Sequence, residues 1–380
     1  MLYLCYQRRT TMKNAFPEIK KQLGFGCMRL PTKNGEIDYQ EMCKMVDSFL
    51  EQGFNYFDTA RPYHGQQSEI AVRECLVKRH PRESFVLTNK LTQGFFKDVD
   101  DLDRMFQDQL DACGVQYFDF YLLHAMNNKR FEYFRDNGIF DKAFQWQEQG
   151  KIRHVGFSFH DTADVLDKML TTYPQIEVVQ LQINYIDMDD PEVQSAKCLE
   201  VAKKHNKPVF VMEPVKGGRL ATLTETSKQP LLALNGGSLA SYAIRFCASI
   251  PQVSAVLSGM SNFEQLADNT SYMKDFVALN DVERQAIDQT CKLLKATPLV
   301  GCTACKYCVD GCPKHINIPQ WFECLNTFRT YGKTDVWEIG AAKRNGTLAS
   351  HCIGCGKCEQ ACPQKLPIRQ LLKETAEKCE

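Results

Sequence analysis

Eight of the chain's 18 cysteines fall into two copies of one spacing near the C-terminus. Cys302, Cys305, Cys308 and Cys312 precede Pro313, and Cys352, Cys355, Cys358 and Cys362 precede Pro363. Each copy reads C-x2-C-x2-C-x3-C-P, the ligand run of chains that hold two [4Fe–4S] clusters. Three thiolates separated by two residues can curl round three irons of one cubane, while the fourth points away to the other. The spacing therefore assigns Cys302, Cys305 and Cys308 to one cluster together with Cys362. It assigns Cys352, Cys355 and Cys358 to the second, together with Cys312. Paired C-x2-C units also suit tetrahedral zinc, a reading that leaves the x3-C-P tails and the duplication unexplained. The other ten cysteines (5, 27, 43, 75, 113, 198, 247, 291, 324 and 379) have no framework spacing. They read as incidental thiols of a reducing compartment, and the cytoplasm is the expected location.

A second set of reactive residues closes short apolar runs upstream. The runs are 22–26, 55–58, 84–90, 118–124, 154–158, 177–182, 209–213 and 254–258; Asp58, Lys90, His124, Ser158, Gln182 and Glu213 stand at the ends of six of them. Longer amphipathic stretches separate the runs, such as 39–51 with Met42, Met45, Val46, Phe49 and Leu50 on one face. Eight β-then-α units between residues 20 and 290 predict a closed barrel of parallel strands rather than an open doubly wound sheet. No G-x-G-x-x-G follows any run; Gly24 and Gly26 are only a fragment of it. In such barrels function gathers at the C-terminal strand ends, where these six residues stand.

The expected fold class is thus α/β: an eight-stranded parallel (β/α) barrel followed by a small, mainly α-helical ferredoxin-like domain. Ala296-Thr-Pro-Leu-Val interrupts the helical pattern before Cys302, which gives a barrel over 20–295 and a cluster domain over 296–380. Trp321, Phe322, Leu325 and Phe328 predict a helix from Pro319 between the two motifs. Residues 1–19 read as a leader, with Met12 as an alternative start and 1–11 dispensable; the opening is too short and wrongly ordered for a signal peptide. With 46 basic and 46 acidic residues and no long run of either sign, nothing argues for nucleic acid or a membrane as partner.

The segment Phe57-Asp58-Thr59-Ala60-Arg61-Pro62-Tyr63 is followed by Leu87-Thr88-Asn89-Lys90 and Phe120-Tyr121-Leu122-Leu123-His124. With Gly150–Ser158 and Val211–Gly218, these stretches make the chain resemble an aldo-keto reductase. The appended cluster motifs resemble the iron–sulfur branch of that family. The resemblance implies a tetrad of Asp58, Tyr63, Lys90 and His124. Hydride delivery to a carbonyl carbon builds charge on oxygen, which must receive a proton. Tyr63 would donate it, Lys90 would lower the phenol's pKa, Asp58 would hold Lys90, and His124 would hydrogen-bond the carbonyl oxygen. Taken one at a time, Asp58 and Lys90 could be a structural ion pair, Tyr63 a packed aromatic and His124 a core histidine.

The resemblance also implies an NAD(P)H site. Ser158 begins the segment where the family presents a serine–asparagine pair, Gln180 matches the nicotinamide-amide contact, and Met212 takes a usual stacking aromatic's place. Gly259, Met260 and Ser261 would hold phosphate through backbone amides, and Asn269 would contact adenine. Glu264 is the only charge in the late loop 258–265, so that loop offers no cation to a 2′-phosphate. Because hydride moves as an electron pair and each cluster takes one electron, a flavin such as FMN is a candidate intermediary. The expected function is reduction of a carbonyl or related unsaturated small molecule, coupled to electron transfer through two clusters. Ferredoxin or flavodoxin is an alternative donor. Two other readings stand beside it: an electron-transfer or redox-sensing module on a non-catalytic barrel, and an ordinary NAD(P)H-dependent reductase with structural clusters.

Overall fold

Each of the eight apolar runs forms a strand, and the strands close into one parallel barrel. They are β1 (Leu23–Gly26), β2 (Tyr56–Asp58), β3 (Val86–Leu91), β4 (Phe118–Met126), β5 (Ile152–Phe159), β6 (Val178–Gln182), β7 (Val209–Met212) and β8 (Val253–Ser258). The structure, a computed structural model, describes residues 15–296, 299–331 and 336–380. Neighbours in sequence pair in space, and β1 closes the ring by pairing with β2 on one side and β8 on the other. All six residues of β3 are buried, as expected of a parallel strand covered on both faces.

The helical pattern after β1 forms the helix Tyr39–Glu51, capped by Asp38, whose carboxylate accepts from the Glu41 amide at 3.0 Å. Met42, Met45, Val46 and Phe49 are buried along it, while Leu50 is only half-buried. Inside the barrel, Tyr56, Phe120, Leu122, Phe210 and Leu257 pack with Phe16 and Ile19. The Phe16 ring meets Phe120 edge-on at 4.8 Å. This corrects the leader expectation for its described part, because burying Phe16 and Ile19 against strand residues anchors that segment. Residues 1–14, and with them the reading of 1–11, lie outside the described residues.

The chain packs as two compact units, one running up to Pro214 with Ala240–Asn280, the other of Val215–Leu239 with Asp281–Glu380. The segment after β7 and the helix Asp281–Ala296 group with the C-terminal part. A close backbone approach shows why. A Cβ on Gly217 (φ +67) would lie 2.6 Å from the Thr303 carbonyl oxygen, so only glycine lets that segment press against the loop carrying Cys302.

The described secondary structure of the second unit is helical throughout. Each cysteine motif turns through a left-handed residue (Lys306, Gly356) into a short helix, Tyr307–Asp310 or Lys357–Ala361. The helix expected from Pro319 spans Ile318–Tyr331, and it buries Trp321, Phe322 and Leu325 with Ile368 and Leu372 of the helix Ile368–Cys379. Arg329 and Glu374 join these two helices through a two-pronged pair, with contacts of 2.7 and 3.2 Å. No helix among the described residues is long and apolar enough to cross a membrane.

Candidate active site and cluster sites

The end of β2 presents Asp58, and the chain then turns so that the Tyr63 amide donates to the Ala60 carbonyl at 3.1 Å. Lys90, buried on neighbouring β3, reaches back with its Nζ to Asp58 Oδ1 at 2.5 Å and to the Thr59 carbonyl at 2.9 Å. The same ammonium lies 3.3 Å from Tyr63 Oη and 4.9 Å from the centre of its ring. His124, from β4, meets the Tyr63 ring edge-on at 6.0 Å. Three adjacent strands thus bring the four tetrad candidates together.

Electrostatics differ from expectation at Tyr63. Burial, reinforced by the negative fields of Asp58, Cys27 and Glu213, pushes the phenol well above its ordinary value. The expected lowering is not seen, and Tyr63 is held as a proton-bearing group. Burial likewise pushes His124 well below the ordinary imidazole range, with Lys90, Arg130 and His160 adding to it. The Thr92 hydroxyl lies 2.7 Å from His124 Nδ1. Where Thr92 donates, the neutral ring carries its hydrogen on Nε2, ready to donate to a carbonyl oxygen.

Behind Lys90 lies a buried carboxylate that the sequence did not single out. Glu69 accepts from Arg61 at 2.6 Å, from Asn89 at 2.9 Å and from Gln109 at 2.9 Å. Gln109 also donates to the Lys90 carbonyl at 3.1 Å, and the Lys90 amide donates to Asn89 Oδ1 at 2.8 Å. One carboxylate thereby ties the loop between Asp58 and Tyr63 to the strand that carries Lys90.

The residues expected to hold a nucleotide fall into two groups. Gln180, the expected nicotinamide-amide contact, is buried on β6 and donates to Asp58 Oδ2 at 3.2 Å. Ser158 Oγ accepts from the Ala125 amide at 2.7 Å, next to His124, while Met212 stands half-buried at the end of β7. Gly259, Met260, Ser261 and Asn269 gather at the end of β8. There the Asn269 side chain donates to Ser258 Oγ at 2.8 Å and accepts from the Tyr272 hydroxyl at 2.6 Å. The Ser261 amide is taken by Gln265 at 2.8 Å, and its hydroxyl donates to the Arg29 carbonyl at 3.0 Å.

Arg29 is the cation that the late loop lacks. A Cβ on Gly259 would lie 3.0 Å from Arg29 Cδ, so the stem of this arginine crosses the glycine. The signal was barrel closure: β1 is the neighbour of β8, which sets the loop after Gly26 beside the loop after Ser258. An arginine at this end of the barrel suits a nucleotide phosphate.

The eight motif cysteines line two cavities. One is lined by Cys302, Cys305, Cys308 and Cys362 between Ile318, Phe322 and Ile368. The other is lined by Cys352, Cys355, Cys358 and Cys312 with Ile316, Ile318 and Leu372. Burial pushes the Cys308 thiol up to about 12, helped by the neighbouring sulfurs of Cys305, Cys302 and Cys362. Among the described residues no three His, Cys, Asp or Glu side chains converge as a single metal ion requires. Four sulfurs around an apolar hollow fit a cubane cluster better than a tetrahedral zinc ion.

With this geometry in hand, known proteins give a consistent picture. Residues 22–292 match the aldo/keto reductase family and residues 301–366 match the 4Fe-4S dicluster domain. An aldo-keto reductase of Mycobacterium avium is 26% identical over 65% of this chain and 78% of its own. A 9,11-endoperoxide prostaglandin H2 reductase of Trypanosoma cruzi is 25% identical over 53% of this chain and 64% of its own. Among solved structures, an aldo-keto reductase of Klebsiella pneumoniae in complex with NADPH superposes with a TM-score of 0.58 at 19% identity, covering 71% of this chain and 95% of that one. The holo form of a Bacillus halodurans aldo-keto reductase gives 0.58 at 24% identity, covering 71% and 91%. None of these findings supports a flavin.

Proposed function

Because this chain belongs to the aldo-keto reductase family and carries a 4Fe-4S dicluster domain, we propose that it reduces a carbonyl or related unsaturated small molecule at the mouth of its barrel and exchanges electrons through two clusters. The observation that carries the reading is the convergence of Lys90 on Asp58, Thr59 and Tyr63 beside a neutral His124.

Tyr63 keeps its proton until negative charge develops on a substrate oxygen beside it, and then gives it up. Lys90 stabilises the phenolate that remains, through a contact already made in the resting site. Asp58 holds the ammonium in place and is itself held by Gln180. A neutral His124 donates to the same oxygen, fixing its position without adding a competing positive charge. Glu69 keeps the Asp58–Tyr63 loop in register with Lys90.

NAD(P)H supplies a hydride when bound, and the family resemblance together with Arg29 supports it as donor. The two clusters, held by Cys302, Cys305, Cys308 and Cys362 and by Cys352, Cys355, Cys358 and Cys312, supply or accept one electron each. Two such electrons with one proton equal one hydride. A ferredoxin or flavodoxin is the external donor or acceptor in this reading.

The test is Tyr63→Phe in anaerobically purified, cluster-loaded protein, assayed with NADPH against a panel of aldehydes, ketones and quinones. Loss of carbonyl reduction with intact cluster spectra supports the proposal, whereas unchanged turnover removes Tyr63 as the acid.

A further inference from the structure

The two cysteine-lined cavities are alike in sequence and unlike in surroundings. None of the four cysteines of the first cavity is fully exposed, and the backbone at Gly217 presses on Thr303 within its ligand loop. At the second cavity one of the four cysteines reaches solvent. Cys355 is exposed, and the lining residue Ile353 has 60% of its surface in solvent, a large apolar side chain left uncovered beside a cluster ligand.

The rim of this cavity carries exposed lysines. Lys314 lines the cavity and is exposed, and Lys357 is exposed one residue beyond the lining residue Gly356. The carboxylate at this rim, Glu359, is engaged by Arg369 at 2.9 Å through Nε and at 2.8 Å through Nη2, and also accepts from the Arg369 amide at 2.9 Å. That pair is neutral as a unit, Glu380 is held on the Ser350 amide at 3.1 Å, and Lys314 and Lys357 are exposed cations on the cysteine loops that line this cavity with Cys355. An apolar centre inside a charged rim is how transient protein contacts combine attraction with fast release.

We propose that this face, with Ile353 at its centre and Lys314 and Lys357 on its rim, docks an acidic protein that carries one electron at a time. The proposal rests on the electron-transfer reading given under Proposed function and names the place where electrons cross between this chain and its carrier. In the transfer the carrier is oxidised by one electron and the cluster held by Cys352, Cys355, Cys358 and Cys312 is reduced by one. No bond forms or breaks. The short reach from the exposed Cys355 makes this cluster the contact point, and the exposed lysines beside it attract an acidic surface at long range.

The experiment uses cluster-loaded full-length protein under anaerobic conditions and follows bleaching of the iron–sulfur absorbance by stopped flow. Two reductants serve as probes: a fully reduced flavodoxin of net negative charge, and reduced methyl viologen, a small cation. In the double variant Lys314→Glu, Lys357→Glu, reduction by flavodoxin is expected to slow roughly tenfold at low ionic strength, the difference closing as salt is added. Reduction by methyl viologen is expected to hold its rate, which also shows that the clusters survived the substitutions. Lys306→Glu, at the first cavity, is expected to leave the flavodoxin rate unchanged. An unaltered flavodoxin rate in the double variant, or an equal loss in Lys306→Glu, overturns the docking assignment. Failure of methyl viologen to reduce the wild-type clusters would instead remove the electron-transfer reading itself.

Discussion

Gln180 Nε2 donates to Asp58 Oδ2 at 3.2 Å, across the interior of the barrel from β6 to β2. These strands lie on opposite sides of the closed ring, four places apart in either direction. Asp58 is therefore gripped from two sides, by Gln180 on one oxygen and by Lys90 on the other. A buried carboxylate needs such partners, because leaving its lone pairs bare is costly.

This grip predicts a split in kinetic effects. Gln180→Leu removes a hydrogen bond to a charged group, worth about 1.5–3 kcal/mol. The turnover number is expected to fall about tenfold, a fraction of that energy appearing in the barrier, while the dissociation constant for NADPH stays nearly the same. A weakened NADPH affinity with unchanged turnover would instead make Gln180 chiefly a contact to the nucleotide. Stopped-flow binding beside steady-state rates separates the two.

The Glu69 hub predicts a stability effect away from the reacting atoms. Glu69→Gln keeps the shape but withdraws the charge from Arg61, Asn89 and Gln109. Breaking one side of a fully buried pair costs about 3–5 kcal/mol. Arg61 is partly open to solvent, so the expected loss is about 2 kcal/mol. Thermal unfolding of the variant should shift down by a few degrees, and turnover should fall with it as Lys90 loosens. An unchanged melting curve would show that Arg61 carries no load there.

The pH dependence follows from Tyr63 and His124. His124 is pushed well below its ordinary range, so it stays neutral and contributes no inflection near neutrality. Tyr63 is pushed well above its ordinary value and acts as the acid, so activity should persist as pH rises and fall only when the phenol loses its proton. The expected pH–rate profile is flat through neutrality, with its alkaline limb above about 10. An acidic limb that disappears in His124→Gln would contradict a neutral His124.

Arg29 predicts a preference between nucleotides. Its stem crosses Gly259 where the late loop has no cation of its own. Arg29→Met is expected to weaken NADPH binding about tenfold and NADH binding less, the difference shrinking at high salt. Equal losses for both nucleotides would make Arg29 a support of the loop and not a reader of the 2′-phosphate.

Much of this architecture was legible in the sequence because it depends on order along the chain. Apolar runs become strands, strand ends face one rim, and Asp58, Lys90 and His124 close consecutive runs. The two cysteine sets were likewise readable, since a spacing of two residues limits which sulfurs can share a hollow. What stayed hidden depends on closure and depth. Arg29 meets Gly259 only because the first and last strands are neighbours, and Gln180 meets Asp58 only because the ring has an interior. Phe16 looked like part of a leader because nothing near it in sequence reveals the barrel interior it fills. The direction of the Tyr63 shift was missed because burial and the nearby Asp58 carboxylate set it, and residue types alone do not fix depth.

The cysteine sets make a prediction of their own. Cys362→Ser is expected to damage the cluster held by Cys302, Cys305 and Cys308, and Cys312→Ser the other. Iron content should fall toward half in each variant, with one paramagnetic signal retained after reduction. Damage confined to the cluster of the variant's own motif would refute the exchange of fourth ligands.

The account's central claim is that the barrel site and the clusters share electrons. The most direct measurement is an anaerobic titration of the cluster-loaded protein with NADPH, followed through the iron–sulfur absorbance. Stepwise bleaching that reverses on adding an oxidising carbonyl substrate is the expected result. A spectrum unchanged by NADPH, in protein whose clusters dithionite readily reduces, would contradict it.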